Sequence, residues 1–229
     1  MREKNITKYN KEQLLIAPSL LAADFLNLNR QLVEIEQHAD MLHIDVMDGH
    51  LVPNISMGQP VIKSIRKSSD ILFDVHLMIT NPLKYIESFA EAGADHITFH
   101  IECDDSVEDT IYMIKKFGLT AGLTLKPATK IETIFPYLSL IDMVLIMSVE
   151  PGFGGQSFMP EMMKKCMAIK AKIESIGKNI LLQLDGGIDS TTIKTAYNSG
   201  ARVMVAGTSV FKQKDGIKDA IELLRKSVK

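Results

Sequence analysis

Short runs of apolar residues recur at eight places along the chain, and each has the length of a β-strand. Most of them end at glycine, proline or a charged residue, where an extended segment would give way to a turn. The runs cover residues 15–20, 41–47, 71–78, 96–101, 120–125, 143–149, 180–185 and 202–207. This pattern predicts eight strands.

Helix-like segments lie between these runs and after the last one. Their predicted ranges are 25–38, 61–67, 83–92, 107–117, 131–138, 161–176, 190–198 and 216–228. Several have recognisable start and stop signals. The predicted N-caps are Asp24, the Asn81-Pro82 pair and Asp189, and the predicted C-cap glycines are Gly93, Gly118, Gly177 and Gly200.

The strict alternation of strands and helices predicts a parallel sheet, because parallel strands need crossover connections. Eight such units at this length predict an α/β fold of one domain, a (β/α)₈ TIM barrel over residues 14–229. Residues 1–13 form a polar N-terminal extension, either a solvated tail or a short helix capping the barrel bottom. The alternative is an open doubly wound sheet, but no G-x-G-x-x-G motif opens the first helix.

Four side chains suited to metal and proton chemistry follow or end predicted strands. His43 and Asp45 alternate with Ile44, so both project from the same side of one strand. His76 and Asp185 end two other strands, and the carboxyl ends of barrel strands form the active site in this fold. Two imidazoles and two carboxylates suit Zn²⁺, Fe²⁺, Co²⁺ or Mn²⁺ better than Ca²⁺.

Other strand-end residues compete for the catalytic role. Lys126 could form a Schiff base, as in an aldolase barrel that uses no metal. Such a mechanism would leave the histidines and aspartates without a purpose, so we expect an exposed or ion-paired Lys126. The competing residues are His100, Glu102, Lys126 and Glu150.

Three glycine-containing loops predict a phosphate site, because glycine lets the backbone approach an anion closely. They follow the sixth, seventh and eighth strands, and phosphate sites recur near the last two in these barrels. Their simpler interpretation is a set of tight turns. The predicted contacts are Gly152, Phe153, Gly154 and Gly155, then Gly186 and Gly187, then Gly207, Thr208 and Ser209.

Four more residues at strand ends are candidates for the pocket wall. Met47, Met78 and Met147 could exclude water from a ligand, although core packing is a competing role. Ser19 ends the first strand and could hydrogen-bond a substrate oxygen.

The composition limits the classes of partner that we expect the protein to bind. The chain has 229 residues, 46% hydrophobic and 24% charged, with a formal net charge of −2. We therefore expect neither a nucleic-acid nor a membrane partner, since such binding usually shows as a basic stripe. The chain has two cysteines without metal-type spacing, no apolar signal core and no run of about 18 apolar residues. We therefore expect a cytoplasmic protein in a reducing compartment.

From about residue 16 to the C-terminal helix, the chain resembles the ribulose-phosphate 3-epimerase family. The matching motifs, in order, are APS at 17–19, HIDVMDGHLVPN at 43–54, DVHLM at 74–78, MSVEPGFGGQ at 147–156 and LDGG at 184–187. Many members have Asn in place of Glu150 and Ser in place of Thr208. The related allulose-6-phosphate 3-epimerases have Ala in place of Gly155.

The resemblance implies a role for each of these groups. His43, Asp45, His76 and Asp185 would bind the metal, Asp45 and Asp185 would be the acid/base pair, and Ser19 and His76 would touch substrate. We expect one divalent ion per subunit, Zn²⁺ before Fe²⁺, Co²⁺ or Mn²⁺, with no organic cofactor. The substrate would be a phosphorylated ketose and the protein a homo-oligomer.

The implied reaction interconverts D-ribulose 5-phosphate and D-xylulose 5-phosphate, a step of the pentose phosphate pathway. Two carboxylates would exchange the proton at C3 through a 2,3-enediolate. One alternative is a D-allulose-6-phosphate 3-epimerase, and an alternative of another class is a phosphosugar-binding barrel without catalysis.

Overall fold

The computed structural model describes residues 5–229, whose eight strands form one parallel sheet. From β2 to β8 each strand pairs with the next one in sequence, and β1 pairs with β8, so the sheet curves into a nearly closed barrel. The prediction of a single-domain (β/α)₈ barrel is confirmed. The strands are β1 Leu15–Pro18, β2 Met41–Met47, β3 Leu72–Met78, β4 His96–His100, β5 Thr120–Leu125, β6 Met143–Met147, β7 Leu181–Asp185 and β8 Val203–Ala206.

The seam of the barrel lies between β1 and β2. One parallel bridge joins Ser19 to His43 there, just beyond the end of β1. Below it, the Ile16 N–H donates to Asp40 Oδ2 at 2.8 Å, and the Asp40 N–H donates to the Ile16 carbonyl at 3.1 Å. The seam therefore places Ser19 beside the strand that carries two of the predicted metal ligands.

Helices follow the strands as predicted, with differences at their ends. They are α1 Leu28–His38, α2 Gln59–Arg66, α3 Ile86–Ala92, α4 Val107–Lys116, α5 Met163–Ile176, α6 Ile193–Asn198, α7 Thr208–Phe211 and α8 Gly216–Ser227. The segment Ile131–Tyr137 is a 3₁₀ helix rather than an α-helix, and it contains Pro136, which has no N–H to donate to an α-helical bond. The short helix α7 was not predicted.

The predicted N-caps have different outcomes. Asp24 accepts the Leu26 N–H and caps a 3₁₀ turn before α1, as expected. Asp189 accepts the Thr191 and Thr192 N–H groups, so it forms a turn, and α6 begins only at Ile193. The Asn81-Pro82 pair does precede a helical segment, since Pro82 is the N-cap of a 3₁₀ turn over Leu83–Tyr85, but this cap makes no side-chain hydrogen bond.

The N–H at that position belongs to Leu83 and donates to Asp105 Oδ2 at 2.8 Å. A carboxylate from the next βα loop thus replaces a local cap. A sequence pattern shows only neighbours along the chain, so it could not have indicated this partner.

Alternation along each strand separates two apolar regions. Leu42, Ile44 and Val46 point outward and pack in the large core between the sheet and the helices. Met41 points inward and belongs to a second cluster at the amino end of the barrel. Above Met41, on the same inner face, come His43 and Asp45. The barrel interior is therefore apolar at one end and polar at the other.

The N-terminal segment closes the apolar end. A 3₁₀ turn over Ile6–Lys8 brings Ile6 and Tyr9 into the inner cluster, where both are buried. The Tyr9 hydroxyl donates to the Asp40 carbonyl at 2.9 Å. Of the two interpretations of residues 1–13, the part from residue 5 shows the one in which a short helical turn caps the barrel bottom, and residues 1–4 lie outside the described residues.

Two sequence features outside the barrel interior can be placed as well. Cys103 and Cys166 are both free thiols. Over residues 5–229, no helix combines the length and apolar character needed to cross a bilayer.

Candidate active site

Four predicted ligands converge inside the carboxyl end of the barrel. Parallel register pairs His43 with Asp74 and Asp45 with His76 across β2 and β3, and the inner faces of both strands point to the barrel axis. Asp185 reaches the same point from the end of β7. One nitrogen or oxygen from each of His43, Asp45, His76 and Asp185 lies within 4.8 Å of all the others.

The atoms that face each other can be named. Asp45 Oδ1 lies 3.2 Å from His43 Nε2 and 3.0 Å from His76 Nδ1. Asp185 Oδ2 lies 3.9 Å from the first nitrogen and 4.0 Å from the second. His43 and His76 are fully buried, and Asp185 keeps some exposure. A mixed set of two nitrogens and two oxygens at this spacing fits a divalent transition-metal ion.

His43 is held by a carboxylate beneath it. Its Nδ1 lies 2.7 Å from Asp74 Oδ2, and Gln183 Nε2 donates to the same oxygen at 2.6 Å. Burial lowers the pKa of His43, but the carboxylates of Asp45 and Asp74 outweigh burial and raise the pKa well above its ordinary value. A metal ion at the candidate site would replace the proton on Nε2, while Nδ1 keeps its proton and donates to Asp74.

His76 is held through a second histidine. Its Nε2 lies 3.0 Å from His100 Nε2, and His100 Nδ1 lies 3.2 Å from Glu102 Oε2. Burial lowers the pKa of His100 to about 4, despite the neighbouring Glu102 carboxylate, so His100 is neutral at pH 7. His100 and Glu102, which were considered as rivals of the cluster, lie directly behind it.

Asp45 and Asp185 carry two carboxyl groups in unlike surroundings. Burial raises the pKa of Asp45, but His43 and His76 outweigh burial and lower it. Burial and the neighbouring Asp45 carboxylate raise the pKa of Asp185. Pairs of carboxyl groups whose surroundings separate their pKa values are typical of acid/base sites.

Two serines hold the carboxylates in place. The Ser19 hydroxyl donates to Asp45 Oδ2 at 2.7 Å, so the Asp45 oxygens have separate partners. The Ser148 hydroxyl donates to the carbonyls of Asp185 and Gly186, at 3.0 and 2.7 Å. The serines thus hold one carboxylate directly and the backbone beside the other.

A cavity of about 600 Å³ opens onto this cluster from the carboxyl end of the barrel. Its lining contains all the predicted substrate contacts except His76, which lies buried beneath it. These residues are Ser19, Met47, Met78, Met147, Gly152, Phe153, Gly154, Gly155, Asp185, Gly186, Gly187, Gly207, Thr208 and Ser209. The three methionines are almost fully buried, so they form part of the cavity floor and of the local core at once.

The glycine loops approach one another on the wall of this cavity. A Cβ atom on Gly155 would lie 3.7 Å from Thr208 Oγ1, so the loops after β6 and β8 lie close together. A Cβ atom on Gly187 would lie 2.6 Å from the Phe158 backbone. Only glycine at position 187 therefore lets the loops after β7 and β6 pack this closely. The Asn54 amide donates to the Gly152 carbonyl at 2.7 Å, which joins the loop after β2 to this wall.

Asp48 anchors the loop after β2 on its other side. Its carboxylate accepts the N–H groups of His50, Leu51 and Thr80 at 2.8 to 3.0 Å. Burial raises the pKa of Asp48, but these backbone donors outweigh burial and lower it. Asp48 and Gly49 therefore belong to a turn that also joins the loops after β2 and β3.

Lys126 and Glu150 take other places. Lys126 Nζ lies outside the cavity lining and donates to the Leu51 carbonyl at 2.9 Å. Glu150 lines the cavity and is exposed. A Schiff-base role for Lys126 has no support in this geometry, because its amine points into a loop rather than into the cavity.

Three residues around the site were not recognised from the sequence. Asp74 and Gln183 lie two positions before His76 and Asp185, on the same inner faces, and this spacing could have indicated them. Lys212 also lines the cavity, where it supplies a positive charge. It lies beyond the last predicted motif and had no signal in the sequence.

The chain is similar over most of its length to proteins of one known family. Residues 15–211 match the model of the ribulose-phosphate 3 epimerase family. The cytoplasmic isoform of ribulose-phosphate 3-epimerase from Oryza sativa subsp. japonica is 45% identical over 218 residues, covering 93% of each chain. The ribulose-phosphate 3-epimerase of Chlamydia trachomatis is 39% identical over 230 residues, covering 98% of this chain and 97% of its own.

Solved structures with low sequence identity share the fold. A 3-hexulose-6-phosphate synthase superimposes with a TM-score of 0.71 at 16% identity, covering 94% of this chain and all of its own. KGPDC from Streptococcus mutans superimposes with a TM-score of 0.69 at 14% identity, covering 94% of this chain and 98% of its own. At such identities, the likeness extends to the barrel alone.

Proposed function

The chain belongs to the ribulose-phosphate 3-epimerase family, and from this premise we propose that it interconverts D-ribulose 5-phosphate and D-xylulose 5-phosphate by two-base proton transfer at C3. The observation that carries this proposal is the convergence of Asp45 and Asp185 on one point at the floor of the cavity. A binding protein would need neither of two carboxyl groups beside two buried imidazoles.

We propose that the site holds one divalent metal ion, with His43 Nε2, Asp45 Oδ1, His76 Nδ1 and Asp185 Oδ2 as ligands. The fit rests on the chemistry of these donors, since each imidazole has its other nitrogen engaged by a second partner and turns one nitrogen toward the carboxylates. A cation bound there would stabilise the negative charge that develops on the sugar oxygens as the C3 proton leaves. The mixed donor set favours Zn²⁺, with Fe²⁺, Co²⁺ and Mn²⁺ as alternatives.

In the proposed mechanism, Asp45 and Asp185 act from opposite faces of a planar intermediate. One carboxylate removes the C3 proton, which gives a 2,3-enediolate, and the other carboxyl group returns a proton from the opposite face. In the reverse reaction the two residues exchange roles. The Ser19 hydroxyl holds Asp45 in place through this cycle.

We propose that the glycine loops bind the substrate phosphate through backbone N–H groups. The support is that Gly154-Gly155, Gly186-Gly187 and Gly207-Thr208 line one cavity and that the first and third of these loops lie close together. Lys212 in the same lining would add a cationic partner. The binding energy of the phosphate can then hold C3 between the two carboxylates.

The test is an epimerase assay on the metal-free protein, repeated after each candidate ion is restored. D-ribulose 5-phosphate and D-allulose 6-phosphate are compared side by side. Activity that disappears with chelator and returns with one ion, at a higher kcat/KM for the pentulose, supports the proposal. Full activity without metal would refute the metal site, and a preference for the hexulose would favour the alternative substrate.

Proton exchange separates an epimerase from a binding barrel. Deuterium from solvent should appear at C3 of the sugar when the protein turns over, since the returned proton comes from a carboxyl group that exchanges with water. A protein that binds the phosphosugar tightly but exchanges no deuterium would lack the chemistry.

Two further expectations stay predictions. We propose a cytoplasmic location, which agrees with the name of the rice relative as a cytoplasmic isoform. We also propose a homo-oligomer, and light scattering of the purified protein would test it.

A further inference from the structure

A line of buried hydrogen bonds leads away from His76 toward the outside of the barrel. His76 Nε2 meets His100 Nε2 at 3.0 Å, and His100 Nδ1 meets Glu102 Oε2 at 3.2 Å. His76 and His100 are fully buried, so water cannot supply or accept these protons. The proposed metal ligand is thus connected to a carboxylate two hydrogen bonds away.

A backbone N–H and a hydroxyl group bind the carboxylate at the far end of this line. Glu102 Oε1 accepts the Lys126 backbone N–H at 2.8 Å and the Thr129 hydroxyl. A backbone N–H can only donate. Glu102 Oε1 must therefore be an acceptor, and Glu102 Oε2 remains for His100.

The positions of the protons follow from these constraints. A carboxylate only accepts, so His100 Nδ1 carries a proton and donates to Glu102. If His100 Nε2 also carried a proton, His76 would have to accept at Nε2 and keep its proton on Nδ1, the atom that faces the metal site; metal binding at Nδ1 therefore requires His100 Nε2 to accept. His76 therefore carries its proton on Nε2, and its Nδ1 offers a lone pair to the metal site.

We propose that Glu102 is a positioning residue that sets the tautomer and orientation of His76 for metal binding, acting through His100. The inference rests on the metal site of the proposed function. His43 reaches the same state in one step, because Asp74 accepts directly from its Nδ1. Each imidazole ligand thus has its own carboxylate, one in contact and one behind a second imidazole.

Glu102→Gln keeps the shape of the side chain but reverses the direction of the hydrogen bonds that join residue 102, His100 and His76. The Lys126 N–H can only donate and therefore requires the amide oxygen, so the amide NH₂ group must face His100 Nδ1. His100 then accepts at Nδ1 and donates from Nε2, which forces the His76 proton onto Nδ1, the ligand atom. Glu102→Ala removes the same negative charge but leaves both tautomers open.

Comparing these two variants distinguishes a positioning role of Glu102 from a purely structural one. Zn²⁺ dissociation constants are measured by chelator competition for the wild type, Glu102→Ala, Glu102→Gln and the control Glu91→Gln, an exposed residue on α3. We expect Ala to weaken Zn²⁺ binding by about 10–100-fold, the usual range for a residue behind a ligand. Gln should weaken it by at least about fivefold more, the cost of one mismatched buried hydrogen bond.

A purely structural role predicts the opposite order, because Gln fills the space of Glu and Ala does not. Equal binding in the two variants, or tighter binding by Gln, would therefore overturn the inference. A wild type that binds no Zn²⁺ would instead refute the metal site on which it depends. The control variant should bind as the wild type does.

A direct reading of the tautomer needs no variant. In the Zn²⁺-loaded wild type, ¹⁵N NMR of the histidine rings should show His100 protonated at Nδ1 and not at Nε2. A proton on His100 Nε2 would overturn the proposal even if Glu102→Gln failed to fold.

Discussion

Gly187 is the position where a single added carbon should disturb the site most clearly. It follows β7 with φ of +64°, a left-handed conformation, and lines the cavity. The Cβ atom of an alanine there would lie 2.6 Å from both Cα and N of Phe158. Ordinary contact begins at 3.4 Å, so the Phe158 backbone would have to retreat by about 0.8 Å.

Gly177 offers a matched control. It ends α5 with φ of +67°, and nothing lies within 4 Å of the Cβ that an alanine would add. Gly177→Ala should therefore lower the free energy of unfolding only by the cost of the left-handed backbone, about 1–2 kcal/mol. Gly187→Ala contains the same cost and an overpacking cost of about 1–3 kcal/mol. The difference between the two variants isolates the close approach of the two loops.

Urea unfolding of the Zn²⁺-saturated proteins measures the stability difference, and initial rates on D-ribulose 5-phosphate measure its consequence for the site. Gly187→Ala should be the less stable variant by about 1–3 kcal/mol, and its kcat/KM should fall by about 10- to 100-fold because the displaced loop lines the cavity. Gly177→Ala should keep wild-type kcat/KM. Equal free energies of unfolding in the two variants would refute the reasoning.

The other predictions concern chemistry, substrate and pH. Asp185→Asn should fold normally but lower kcat by at least about a hundredfold, because an amide cannot transfer the proton; near-normal turnover would remove Asp185 from the mechanism. D-ribulose without its phosphate should lose kcat as well as affinity, and equal kcat for the two sugars would contradict the glycine site. Asp48 has a pKa below its ordinary value of 3.8, so its stabilising effect is complete above pH 3.8 and is lost as the pH falls through its folded-state pKa. The difference in unfolding free energy between the wild type and Asp48→Asn should therefore shrink below pH 3.8, and a constant difference would show that the carboxylate has no such role.

Strand periodicity and strand ends were readable from the sequence because both are local. The spacing of His43 and Asp45 places them on one side of β2 whatever the rest of the chain does. The eight alternating units predicted the barrel, and the barrel in turn predicted that strand ends meet. The sequence therefore predicted the four candidate ligands, the three loops and the methionines that line one cavity.

Local signals failed where a distant residue supplied the partner. The Leu83 N–H bonds Asp105 from the next loop instead of the predicted cap, and Ile131–Tyr137 forms a 3₁₀ helix that a helical pattern did not distinguish from an α-helix. Lys126 was expected to be exposed or ion-paired, but it is half-buried and its amine donates to the Leu51 carbonyl.

By itself, the sequence determined which side chains face the barrel interior and at which end, since strand alternation and chain order decide both. Only the tertiary structure decided which atoms of those side chains meet. The connection from His76 through His100 to Glu102 joins β3, β4 and the loop after β4, and the contact of Asp74 with His43 depends on register between two strands. Hydrogen bonds have a direction and a reach of about 3 Å, so proton positions follow from three-dimensional neighbours that no spacing along the chain specifies.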